Sequence, residues 1–107
     1  MEKVTLPEDL EFDWNSSNST KSWIKHKVTS EEQEEAFFSY ERMVVEDTKH
    51  SQVEKRLLLL SKTDKGRKLI IAFTIRTLDK KQKIRPISAR PMNRKEAQLY
   101  EETLKVA

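Results

Sequence analysis

Phe73-Thr74-Ile75-Arg76 and, a turn later, Lys83-Ile84-Arg85-Pro86-Ile87-Ser88-Ala89-Arg90 alternate apolar residues with arginines at a period of two. Period two is the signature of a half-buried strand, so these arginines stand on sheet positions rather than on surface loops. Planar guanidinium groups held on a rigid sheet suit bidentate capture of phosphate, which makes nucleic acid the expected ligand.

Working outward, the other strands are expected near Met43 to Glu46, Glu54 to Ser61 and Lys68 to Arg76, with the last over Lys83 to Ala89. Lys62-Thr63-Asp64-Lys65-Gly66 supplies turn chemistry for one hairpin, and Leu78 to Gln82 joins the final two strands. Successive hairpins predict an antiparallel sheet. Pro86 lacks a backbone donor, so the last strand is expected to be an edge or to bulge there. Arg85 and Arg90 are an odd number of residues apart and cannot share a face of a regular strand, so an end-of-strand twist or a bulge at Pro86 would be needed to bring them together.

Ahead of the sheet, Phe12-Asp13-Trp14 reads as a short edge strand. The polar cluster Asn15 to Thr20 offers N-caps for a first helix reaching about His26, with Trp23 and Ile24 on its buried face. Thr29 and Glu32 form a capping-box pattern for a second helix, with Ala36, Phe37 and Tyr40 at helical spacing. After the sheet, Asn93 and Glu96 predict a final helix whose Ala97, Tyr100 and Leu104 make one stripe. The expected architecture is an α+β domain: a small antiparallel sheet with two N-terminal helices and one C-terminal helix. Residues 1–11 read as a lead-in that is partly mobile, and 12–107 as one domain.

Composition narrows the function. A chain of 107 residues holds one core and buries ~60–70% of its unfolded surface. With 21 basic and 18 acidic residues the net charge is only +3, so distribution matters more than the total. Acids crowd Glu31 to Glu35, whereas Lys62 to Lys95 holds acids only at Asp64 and Asp79, which concentrates positive charge on one surface. Cysteine is absent, so disulfides and thiolate metal sites are excluded. Two histidines without His-x-x-x-His spacing argue against structural zinc, and neither metal nor cofactor is expected. The N-terminus has no apolar signal core and no run reaches membrane-spanning length, so the expected location is the cytoplasm.

Candidate chemistry clusters in two places. If the segment from His50 to Arg56 is extended, His50, Glu54 and Arg56 are co-facial. Two proton-transfer groups beside a phosphate clamp are what RNA cleavage needs, since the 2′-hydroxyl loses a proton, the leaving oxygen gains one, and phosphorane charge must be neutralised. The structural reading of the same residues is a strand entry with Glu54 and Arg56 paired across the sheet. Lys25-His26-Lys27 either complements the negative end of a helix or reaches a phosphate, with His26 able to exchange a proton near neutrality. Trp14, Trp23, Phe37, Phe38 and Phe73 read as core rather than as base-stacking platforms.

Taken in order, these blocks resemble the BrnT family, the toxin component of BrnT–BrnA type II toxin–antitoxin systems. The resemblance rests on Phe12-Asp13-Trp14, Trp23-Ile24-Lys25-His26-Lys27-Val28, Phe37-Phe38, His50-Ser51 with Glu54 and Arg56, Gly66-Arg67 with Leu69, Phe73 to Arg76, Ile84-Arg85 with Ile87 to Arg90, Arg94 to Glu96, and Tyr100-Glu101. It implies a RelE-like fold and a metal-independent endoribonuclease that arrests growth. It also implies neutralisation by a BrnA-like antitoxin, with operator DNA engaged only through that partner. On this reading Glu54, His50, His26, Arg56 and Arg76 are the catalytic candidates, and Lys25, Arg85 and Arg90 bind RNA. The alternative is a non-catalytic module that uses the same basic face to bind RNA or protein. Lys27 stands where many members carry glycine, Pro86 replaces an aliphatic residue, and Thr77 to Lys81 lengthens a hairpin.

Overall fold

The computed structural model describes residues 5–50 and 54–105. Among them, helices α1 (Lys21–His26) and α2 (Ser30–Phe38) precede strand β1 (Met43–Glu46) and a 3-10 turn (Thr48–His50). Strands β2 (Leu57–Lys62), β3 (Lys68–Leu78) and β4 (Lys81–Pro91) follow, and helix α3 (Arg94–Lys105) ends the order. The four strands form one antiparallel sheet in sequence order, so the fold is α+β as the sequence implied.

Both faces of this sheet are covered, which explains the unbroken apolar run Leu57 to Leu60. Leu57 and Leu59 point to the first face with Val44, Leu69, Ile71 and Phe73, against Val28, Ala36 and Phe37. Leu58 and Leu60 point to the second face with Val45 and Ile70, against Tyr100 and Leu104 of α3. On the first face Phe73 meets Phe37 edge-on, ring centroids 4.9 Å apart at 84°, and Phe12 joins the cluster at 5.4 Å from Phe37. Tyr100, fully buried, donates its hydroxyl to the Glu41 carbonyl at 2.7 Å. Burial, followed by the nearby Glu41 charge, pushes that phenol up to about 12.

The edge of β4 is sealed by the chain that precedes α1. Ile84 donates to the Glu11 carbonyl and Asp13 donates to the Ile84 carbonyl, each at 2.7 Å. Farther along, Asn18 Nδ2 donates to the Pro86 carbonyl at 2.8 Å, and Ala89 N–H donates to Ser22 Oγ at 2.7 Å. A strand edge left bare would invite pairing with another chain, and these bonds remove that liability. The expected strand over Phe12 to Trp14 reduces to a single parallel bridge between Phe12 and Ile84. Leu6 is buried in the first-face core and Leu10 packs against it.

This docking corrects the expectation for α1. Trp23 and Ile24 are 47% and 71% exposed, and the buried residue is Ser22. Six residues make too short a helix to bury an apolar stripe, and α1 faces a strand edge that wants a hydroxyl rather than a methyl. Phe38 and Tyr40 are likewise exposed, because the chain turns extended at Ser39 and takes Tyr40 off the helical stripe. The second helix does begin with the capping box, Thr29 and Glu32 each accepting the other's backbone N–H at 3.0 Å. Asn93 and Glu96 repeat it for α3 at 2.9 Å.

The last hairpin is tighter than expected. The strands run through to Leu78 and Lys81, leaving Asp79 and Lys80 as a two-residue turn with φ of 50° and 67°. Two consecutive positive φ values match the twist of the flanking strands. Lys27 closes α1 in the left-handed region at φ 56°, with its ammonium 5.0 Å from the Trp23 ring centroid. A non-glycine residue there costs on the order of 1 kcal/mol, against ~0.5 kcal/mol from an exposed cation–π contact. Thermal unfolding of Lys27→Gly should therefore show a gain of roughly 0.5 kcal/mol. A loss would mean that the Trp23 contact outweighs the backbone relief.

Candidate active site

Pro86 decides which side chains share a face. Phe73 pairs with Pro86 but Ala72 pairs with Ser88, so Ile87 has no cross-strand partner and forms a bulge. In consequence Ile84 and Ala89, five positions apart, both reach the first-face core. Their neighbours Arg85 and Arg90 then both reach the second face. Ile75 and Leu57 also lie on the first face, which sends Arg76 and Arg56 to the second. Arg76, Arg85 and Arg90 on β3 and β4, with Arg56 just ahead of β2, thus project to one side of the sheet.

The helix α3 covers only part of that side. Beyond its N-terminal turn a hollow of about 350 Å³ remains, with Leu58, Ile70, Ala72 and Ser88 on its floor. Its walls are His26 from the end of α1, Arg56 and Asp47 from the β1–β2 end, Arg90 from β4 and Glu96 from the start of α3. Three of the candidates named from sequence, His26, Arg56 and Arg90, therefore share one concavity.

Each arginine on this face faces a carboxylate. Arg90 is gripped bidentately by Glu96 at 2.7 and 2.8 Å. The Arg90 guanidinium holds the Glu96 carboxyl below the usual carboxylate range against the opposing effect of burial, and Glu96 in turn raises Arg90. Arg56 Nε lies 3.7 Å from Asp47, and Asp47 N–H donates to the Arg56 carbonyl at 2.8 Å. Arg76 and Glu54 pair at 3.4 Å, both half exposed. Arg85 is enclosed by Asp13 at 3.3 Å and the Ser17 hydroxyl at 2.8 Å, so its guanidinium is bound into the segment that seals β4.

The expected pairing of Glu54 with Arg56 is corrected: Glu54 reaches Arg76 and Arg56 reaches Asp47. The reason is that the strand starts at Leu57 rather than Glu54: the ladder with β1 ends at the Glu46–Leu57 pair, so Glu54 is not on a strand position. His50 closes a 3-10 turn, so the extended reading of this segment fails at that residue. The His50 side chain, together with Ser51 to Val53, lies outside the described residues. Lys25 is exposed on α1 and does not line the hollow.

The end of α1 that carries His26 is held by Arg67, a residue named from sequence only as part of the hairpin block and given no role at the site. Arg67 donates to the His26 carbonyl at 3.1 Å and the Lys27 carbonyl at 2.8 Å, and also pairs with Glu32 at 3.1 Å. One guanidinium thus ties the end of α1 to the start of α2. Burial pushes the Glu32 carboxyl up, but the Thr29 N–H and Arg67 outweigh it and leave the group below its ordinary value. Asp47 and Glu96 were also missed as cleft residues. Glu96 was legible only as a helix cap, a role it combines with holding Arg90. Among the described residues no group of three or more His, Asp or Glu side chains is placed to hold a metal ion. No described helix is long and apolar enough to cross a membrane.

Fold and cleft together define a small α+β domain whose sheet presents an arginine-walled hollow beside a histidine. Residues 14–96 match the family described as "Ribonuclease toxin, BrnT, of type II toxin-antitoxin system". The chain belongs to that family. No curated protein matches it. Membership implies an RNA target and an antitoxin partner.

Proposed function

We propose that this protein is a metal-independent, RelE-like endoribonuclease that arrests growth from the cytoplasm, with residues 12–107 forming the toxin domain. The observation that carries the reading is the meeting of His26, Arg56 and Arg90 around one hollow. RNA cleavage by internal attack requires a proton acceptor, a proton donor and fixed positive charge near the phosphorus, and requires little else.

In this mechanism the 2′-oxygen attacks the adjacent phosphorus, its proton passes to a base, and the bond from phosphorus to the 5′-oxygen breaks as that oxygen gains a proton. The products are a 2′,3′-cyclic phosphate and a 5′-hydroxyl. His26 moves one proton at the cleft wall, and Glu54 or His50 moves the other. Arg56 and Arg90 hold the phosphate oxygens, with Arg76 as a further clamp whose present partner is Glu54. Lys25 and Arg85 carry the flanking backbone. Substrate phosphate replaces the carboxylates that hold these arginines, an exchange favoured by the bidentate geometry available to a guanidinium. Inhibition comes from a BrnA-like antitoxin, and operator DNA is reached only through that partner.

The test is incubation of the purified chain with RNA in excess chelator. Cleavage should persist and leave cyclic phosphate ends. Arg56→Ala or Arg90→Ala should reduce it by at least about 100-fold, the usual consequence of removing a group that stabilises transition-state charge. A strict requirement for a divalent cation would overturn the mechanism.

A further inference from the structure

The floor of the hollow is more apolar than a phosphate site needs. Leu58, Ala72 and Ser88 stand side by side across three strands, with Leu58 opposite Ala72 and Ala72 opposite Ser88. All three point to the second face, and Ala72 and Ser88 are small enough to leave the depression between the arginine walls. Guanidiniums alone would hold a phosphate equally well above charged or bulky neighbours. A flat aliphatic platform ended by one hydroxyl matches a flat ligand with apolar faces and polar edges. A volume near 350 Å³ falls at the small end of ligand cavities and suits one such group rather than a stacked series.

We propose that this platform is a nucleobase site. On this view, which rests on the ribonuclease reading above, the cleft takes one unpaired base of single-stranded RNA over Ala72, with its edge at Ser88 and the adjoining phosphates at Arg56 and Arg90. Bases in an A-form duplex are stacked and lie behind a narrow deep groove, so they cannot be laid flat on a protein surface. The substrate is accordingly single-stranded RNA, and a paired segment is excluded from the cleft.

The experiment measures binding of the intact protein to short ligands in two pairs, each matched in charge and all 2′-O-methyl so that none can be cleaved. One pair is a trinucleotide and the same sugar-phosphate trimer without bases; the other is an unpaired octanucleotide and an octanucleotide of the same composition folded into a duplex closed by a non-nucleotide linker. In each pair the ligand with unpaired bases should bind at least about five-fold more tightly, as expected from placing a single base. Ala72→Leu should remove that preference, bringing the affinity for the trinucleotide down to that for the abasic trimer measured on the same variant. Because the ligand comparison uses the unaltered chain, it stands even if Ala72→Leu misfolds. Equal affinity for the trinucleotide and the abasic trimer would overturn the base site and leave phosphate capture intact. Failure of every ligand to bind at low salt would overturn both readings.

Discussion

His26→Gln should abolish most RNA cleavage, by about 100- to 10,000-fold, while the protein stays folded. His26 is exposed at the last turn of α1, and its backbone, not its imidazole, makes the structural bonds to Arg67. Glutamine keeps the polarity and helix compatibility but cannot take or give a proton near neutrality. The informative measurement is single-turnover cleavage alongside a thermal melt. Wild-type activity in a folded His26→Gln protein would remove the histidine from the chemistry and shift both proton transfers to Glu54 and His50. A second arm tests positioning: Arg67→Ala leaves the imidazole present but releases the end of α1. If placement matters, that variant loses rate, and the loss is recovered more fully by Arg67→Lys than by Arg67→Gln.

Phe73→Ala carries the largest expected cost in stability, about 3–5 kcal/mol. The ring is fully buried on β3, and it is the surface against which Phe37 of α2 packs edge-on at 4.9 Å. Removing it leaves a cavity in the first-face core and breaks the aromatic chain from Phe12 through Phe37. For a domain of this size the midpoint of thermal unfolding should fall by more than about 10 °C. A drop below roughly 1 kcal/mol would mean that α2 is not seated on the sheet in the way described. The cleft lies on the opposite face, so residual folded protein at low temperature should still bind RNA.

The elements of the fold were legible because their signals are local. Capping pairs at Thr29 and Asn93, the change from helical to twofold spacing after Arg42, and the turn at Gly66 each act within a few residues. Pro86 pointed to an edge strand or a bulge, since it has no donor N–H for a ladder, and β4 is both the last strand of the sheet and bulged beside it. What sequence alone did not yield was partnership across the chain. Which carboxylate would hold Arg56, and that Arg67 would fasten His26, depend on contacts between residues far apart in sequence. Hydropathy misled at Trp23 and Ile24, whose apolar character suggested a core face where the sheet edge required the Ser22 hydroxyl. The cleft itself arises from where α3 stops covering the sheet, and no local pattern encodes that.

The ion pairs around the hollow have a consequence for energetics. A bare cluster of guanidiniums would repel itself and would have to be organised by the arriving RNA. Here Asp47 and Glu96 already orient Arg56 and Arg90 at the hollow, and Glu54 and Asp13 balance Arg76 and Arg85 elsewhere on the same face. On the proposed mechanism, substrate entry would be an ion exchange on a prearranged lattice, in which one anion leaves as another arrives. On that mechanism the surface would favour a ligand that supplies oxygens at several points together.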